Sequence, residues 1–194
     1  SLRDLRAAGV VPEALLSLMA RLGSSQPVAL RASLDEIAEG FELGQFGAAP
    51  TKFDAEDLWP LTREHNQNLP FAAVRQQIAA LGVPDGLAER FWKVASQNIT
   101  KIEDLEAWWL LCRDGAEPMI DDEDREFVAQ AMSMLPALPF TDTSWSEWTS
   151  AVKEASGRKG KGLFMPLRQA LTGQSSGPEM AELMPLLQKV RAVW

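Results

Sequence analysis

Apolar residues recur three and four positions apart along most of the chain, and alternation with a period of two is nearly absent, so the pattern predicts helices and almost no strand. Leu2–Ala8 reads as a short first helix stopped by Gly9. Pro12 then opens a second, whose expected core face is Leu15, Leu16, Leu18, Met19 and Leu22, with Gly23 as its cap. Ser33, with Glu36 three residues on, signals a capping box and a helix over Leu34–Phe41. Gly44 to Pro50 holds too many small residues and breakers for a regular element, and the surrounding Phe41–Phe53 stretch suits a short strand or extended crossing. Asp54 starts a helix through Leu58 and Trp59, with Pro60 early enough in it to introduce a kink.

Asn66-Gln67-Asn68-Leu69-Pro70 marks a boundary, because the residue before a proline is pushed out of helical geometry. Helices follow over Phe71–Leu81, Pro84–Ala95 and Lys101–Cys112, separated by Gly, Pro or Asn. The acidic run Asp121–Asp124 opens a helix through Phe127, Val128, Ala131 and Leu135, where the helix dipole favours negative charge. A calcium loop is the alternative, but the EF-hand spacing and its glycine are absent. Thr143-Ser144 caps a helix over Trp145–Ala155. In the next, Leu163, Phe164, Leu167, Ala170 and Leu171 share one face expected to be buried; Pro166 is placed in the first turn, and Gly173 closes the helix as a left-handed cap. The expectation is an all-α protein of about nine helices in two packed units, Ser1–Leu69 and residues 70–194.

With 46% hydrophobic residues, a chain of this length can bury one substantial core or two small ones. No apolar run approaches the roughly 18 residues that span a bilayer, and no charged-then-apolar leader precedes the first helix, so a membrane location is not expected. A start at Ser1 suggests a fragment or a processed chain. A single cysteine and a single histidine exclude a disulfide framework and argue against structural zinc. Cys112, inside Trp108-Trp109-Leu110-Leu111-Cys112, reads as a buried thiol, and His65 as a surface or capping residue without a nucleophile nearby. Trp92, Trp108, Trp109, Trp145 and Trp148 read as core, while Trp194 either docks on the body or frays.

The net charge of −8 disfavours a simple nucleic-acid binder, but its distribution matters more than its sum. From Ser150 onward seven basic residues face three acidic ones, a net of +4, which leaves −12 for the remainder. An acidic body with one basic end repels RNA in most orientations and accepts it in one. Arg158, Lys159 and Lys161 sit on flexible Gly157, Gly160 and Gly162 just before a helix N-terminus, an arrangement suited to phosphate. Arg168 is spaced to emerge beside the apolar stripe of that helix, within reach of a base edge or phosphate. The plainer alternative is a solvated basic turn ahead of an ordinary core helix.

In order, Gly157-Arg158-Lys159-Gly160-Lys161, Leu163-Phe164-Met165-Pro166-Leu167-Arg168, Ala170-Leu171-Thr172-Gly173 and Gly177-Pro178-Glu179-Met180-Ala181-Glu182-Leu183 resemble the carboxy-terminal signature of bacterial glutamyl-tRNA synthetases. Ser1–Leu16 resembles the segment that follows that family's K-M-S-K-S-type ATP loop and enters its stem-contact fold. Ser33-Leu34-Asp35-Glu36, Phe53-Asp54 and Leu58 continue the likeness, which is weakest from Leu81 to Phe140. It implies a helical stem-contact unit followed by a helical anticodon-binding bundle, in a cytoplasmic monomer that binds glutamate tRNA, with glutamine tRNA left open as a second substrate.

The resemblance also implies site residues. The arginine of the family's Pro-Leu-Arg segment, here Arg168, contacts the anticodon loop, and Pro178 and Met180 at the start of the last helix lie against the same loop. Arg158, Lys159 and Lys161 are assigned to phosphates, where they add affinity and salt dependence. In some relatives an arginine between the helices holding Ala95 and Ile102 excludes glutamine tRNA; this chain has Ser96-Gln97-Asn98, with Asn98 in that place, so strict rejection is not implied. Gln97 and Asn98 read alternatively as a plain helix terminus. The class I catalytic motifs, H-I-G-H and a lysine loop, do not occur, so no catalytic residue and no cofactor is assigned to this chain. ATP and Mg would act with a catalytic part that it lacks. The rival expectation is an acidic helical module that binds another polypeptide and no RNA.

Overall fold

The computed structural model describes residues 1–191, and Trp194 lies outside them. Among the described residues there are eleven α-helices and no strand; the extended crossing expected near Phe41–Phe53 is limited to one antiparallel bridge between Ser24 and Phe46. The chain packs as two units, one of Ser1–Val74 with Ile99–Leu105, the other of Arg75–Asn98 with the residues from Glu106 onward.

In the first unit, α1 (Leu2–Ala8) stops at Gly9, whose φ of +93° suits only glycine, and whose absent Cβ leaves room for the Lys101 stem. α2 (Pro12–Met19) begins at its proline as expected, but turns a different face inward. Ala14, Ser17 and Leu18 are buried, while Leu16 and Met19 are 42% and 50% exposed, and Leu22 follows the helix end. The reason is Leu58 and Leu61 of α4 (Leu58–Gln67), which close on Val10, Ala14 and Leu18; a small alanine and serine let the two helices approach. Ser17 is satisfied there by the Arg31 N–H at 2.9 Å. α3 (Leu34–Glu39) is capped by Ser33, as expected, and ends at Gly40, short of Phe41. The Glu36 carboxylate reaches one residue past the cap, to the Ala32 N–H. Asp54 caps a 3₁₀ turn, Ala55–Asp57, that runs into α4, so Pro60 is third in that helix, where its missing N–H removes no bond. At the other end of α4, Asn66 and Gln67 donate to the carbonyls of Thr100 and Ile99 at 2.8 and 3.0 Å.

α5 (Phe71–Ala80) and α7 (Asp104–Asp114) have residues in both units. α7 starts three residues later than its apolar pattern suggests, because the Asp104 carboxylate accepts the N–H groups of Thr100 and Lys101 and ends the preceding turn. In the second unit, α6 (Asp85–Ala95) buries Phe91, Trp92, Val94 and Ala95, with Phe91 edge-on to Trp109 at 5.6 Å. α8 (Arg125–Ser133), α9 (Ser144–Ser156) and α10 (Lys161–Thr172) pack together, and α11 (Met180–Leu183) continues into a 3₁₀ turn, Met184–Leu186. Leu135, expected in α8, lies beyond its end. The core of this unit joins Phe127, Val128 and Ala131 to Trp148, Val152, Leu163 and Leu167. Trp148 is fully enclosed and its indole N–H donates to the Ala131 carbonyl at 2.8 Å, which satisfies the one polar atom it buries.

Candidate nucleic-acid interface

The basic turn between α9 and α10 is shaped by two glycines at positive φ, Gly157 at +69° and Gly160 at +54°. Nothing lies within 4 Å of where a Cβ would stand at either, so backbone conformation, not space, requires them. The three cations it carries differ in situation. Arg158 is drawn inward: its guanidinium pairs with Asp124, lies 4.0 Å over the Phe127 ring, and donates to the Gly162 carbonyl at 3.2 Å. Lys159 and Lys161 are exposed and form no ion pair among the described residues.

The Gly162 contact explains a departure from expectation. Pro166 is sixth in α10, in the second turn instead of the first, where it deprives the carbonyl four residues back of its N–H partner. That carbonyl belongs to Gly162, and Arg158 supplies the missing donor. The turn and the helix are therefore held together by one side chain. At the far end, Gly173 adopts φ +65° and closes α10 as expected.

Four members of the predicted stripe, Leu163, Leu167, Ala170 and Leu171, are buried, but Phe164 is 45% exposed. It lies instead on the wall of a cleft of about 330 Å³ lined by Trp145, Phe164, Arg168, Glu179 and Met180. Phe164 and Arg168 are four residues apart, hence on one helix face, rotated away from the core. Arg168 is half-buried, and one guanidinium N–H donates to the Pro178 carbonyl at 2.8 Å. The other terminal nitrogen would stand 3.5 Å from a Cβ on Gly177, and the Trp108 ring 2.9 Å from it, so only glycine lets this turn lie against both. Pro178 and Met180 are buried. Pro178 anchors the arginine through its carbonyl, and Met180 floors the cleft.

Asn98 and Gln97 do not line that cleft. They belong to the 3₁₀ turn Ser96–Asn98 at the end of α6, where the Asn98 amide donates to the Val94 carbonyl at 3.3 Å and Gln97 is exposed. The Asn98 carbonyl accepts the Trp108 indole N–H at 3.3 Å. Trp108 thus bridges the Asn98 turn and the Gly177 turn. Neither Trp108 nor Trp145 is a core residue as expected: both are partly exposed, whereas Trp92, Trp109 and Trp148 are buried. In the sequence nothing separates these two from the core tryptophans, since all five recur at helical spacing among apolar residues.

Chemically the cleft offers aromatic surface, a guanidinium with N–H donors beyond the one Pro178 takes, and a carboxylate. It holds no pair of nucleophile and base. Cys112 is buried, and burial pushes its thiol up to about 12. His65, in the first unit, is 4.0 Å from Glu13. Among the described residues no group of three or more His, Cys, Asp or Glu is placed to hold a metal ion, and no helix is long and apolar enough to cross a membrane.

Residues 114–193 match the family model described as an anticodon binding domain. Over 192 residues, 99% of its length, the chain is 72% identical to glutamate–tRNA ligase 1 of Paracoccus denitrificans and 68% identical to glutamate–tRNA ligase 2 of a Cereibacter sphaeroides strain. It spans 44% of either relative's own length. A crystal structure of glutamate–tRNA synthetase from Elizabethkingia anophelis shares the fold, with a TM-score of 0.67 at 22% identity over 94% of this chain and 39% of that one. The ligase of Elizabethkingia meningosepticum gives a TM-score of 0.69 over the same shares. The likeness to glutamate–tRNA ligases therefore covers nearly the whole chain and corresponds to their carboxy-terminal part, and residues 114–193 of it are similar to an anticodon binding domain.

Proposed function

We propose that this chain is the tRNA-docking portion of a glutamate–tRNA ligase: it holds glutamate tRNA by its anticodon loop while a catalytic domain absent from this chain carries out ATP- and Mg-dependent glutamylation in the cytoplasm. The observation that carries the reading is Arg168, a half-buried guanidinium fixed by the Pro178 carbonyl at the edge of an open aromatic cleft. Unpaired loop bases are recognised by such a combination of planar donors and aromatic surface, because their faces and edges are both free. Lys159 and Lys161, exposed at the N-terminus of the same helix, suit the flanking phosphates, with the helix dipole adding to their attraction. Arg158 acts beneath them by holding the turn. The first unit is assigned to the tRNA stem by likeness alone, and the protein is read as a monomer.

The place of Asn98 supports tolerance of glutamine tRNA. An asparagine spent on capping α6 presents no cation that could reject a loop nucleotide. Mobility shift of labelled glutamate tRNA over a salt series tests the whole reading. Affinity should fall steeply with salt, and Lys159→Ala should lower the slope of log K against log salt by about 1 while leaving the choice between tRNAs unchanged. Binding that is indifferent to salt, or absent, would exclude it.

A further inference from the structure

Phe164 is half-exposed although its neighbours on the stripe are buried, and it stands beside a partly exposed Trp145 with ring centroids 6.3 Å apart and planes inclined by 37°. Leaving a phenyl ring in water forgoes stabilisation that the same helix collects at Leu163 and Leu167. Nor is the pair loosely placed. Trp145 is braced edge-on by Trp148 at 5.7 Å, and Trp148 is locked by its bond to the Ala131 carbonyl. The aromatic surface is ordered before any ligand arrives.

Resting on the function proposed above, we infer that Trp145 and Phe164 form a stacking platform for one unpaired base of the RNA loop, with the base edge turned toward Arg168 and Glu179. The rings are too close for a base to slip between them, which needs two gaps of about 3.5 Å each, so it lies on their outward surface. Stacking tolerates every base, whereas the edge beside a guanidinium and a carboxylate meets both donors and acceptors. The exposed Lys161, three residues before Phe164 and so one turn away on α10, is placed for the adjoining phosphate. Charge decides the occupant: two exposed lysines at the start of the helix that carries Phe164 favour a polyanion carrying flat bases over an apolar peptide.

The test measures binding of the full chain to a fluorescein-labelled hairpin RNA bearing the glutamate anticodon loop, and to versions with one abasic nucleotide at each loop position in turn. Phe164→Ala is expected to weaken binding of the intact hairpin roughly tenfold or more with an unchanged salt slope. Phe164→Leu keeps apolar bulk without a π face and should lose nearly as much, whereas Phe164→Trp should bind like the parent. One abasic position should cost the parent a similar factor and cost Phe164→Ala nothing further. The inference is overturned if Phe164→Ala or Phe164→Leu binds within twofold of the parent, or if every abasic position adds its full loss to the variant. In that event a loss on Arg168→Ala would leave the proposed function standing, while a parent chain that fails to bind the hairpin removes both.

Discussion

Arg158→Ala should destabilise the second unit by about 2–4 kcal/mol, a large effect for a residue on a basic surface turn. The figure combines three contacts. The ion pair with Asp124 is shielded, the side chains being 33% and 16% exposed, so it exceeds the roughly 0–1 kcal/mol of an open surface pair and falls short of the 3–5 kcal/mol lost when a buried pair is broken. The guanidinium over Phe127 adds about 0.5–1 kcal/mol, and the Gly162 carbonyl, which Pro166 cannot serve, loses its donor at a cost of about 1 kcal/mol. Urea unfolding followed by tryptophan fluorescence reports on this unit, since Trp59 is the only described tryptophan in the other. A double-mutant cycle with Asp124→Ala should return a coupling of about 1–2 kcal/mol. Adding Pro166→Ala to Arg158→Ala restores an N–H facing Gly162 and should recover about 1 kcal/mol or more. A loss below about 0.5 kcal/mol, or no coupling to Asp124, would refute this account of the turn.

Cys112 should resist thiol reagents at pH 8 in the folded chain and react at once in urea, because its buried thiol is held far from ionisation. The same shift makes stability pH-dependent. The folded thiol titrates near 12 against an ordinary value of 9.0, so its contribution is complete below pH 9 and is lost as pH rises toward 12. Comparing the alkaline unfolding of the parent with that of Cys112→Ala isolates the effect. Gly173→Ala should lower stability by more than about 2 kcal/mol: the left-handed backbone alone costs about 1–2, and the new Cβ would collide with the Glu117 carbonyl oxygen. Leu58→Ala, fully buried in the first unit, should cost about 2–5 kcal/mol there, read as a shift in its hydrogen-exchange protection.

Much of the fold was legible because its signals are local. Gly9 and Gly173 stop helices through backbone geometry, Ser33 caps through a bond three residues long, and α10 shows its period in ten residues. What was missed depends on partners distant in sequence. A stripe of apolar residues does not say which edge member faces outward, so Phe164 was counted with the core. Neither could the first turns of α2 reveal that α4 would select Ala14 and Ser17 over Leu16. Arg158 reads as a phosphate contact and Pro166 as a first-turn proline because Asp124, the partner that holds the arginine beside the Gly162 carbonyl, lies 34 residues away in sequence. Of the site, Arg168, Pro178 and Met180 converge, and Lys159 and Lys161 remain exposed. Trp145 was hidden among tryptophans whose helical spacing resembles that of core residues.

The central claim is that Arg168 reads an anticodon loop, and Arg168→Ala tests it most directly. Dissociation constants are measured for glutamate tRNA and for the same tRNA with a substituted anticodon, at one salt concentration. The account predicts a loss of about 1–3 kcal/mol on the cognate tRNA and little on the substituted one, so that discrimination collapses. Equal losses on both, or none on either, would contradict it.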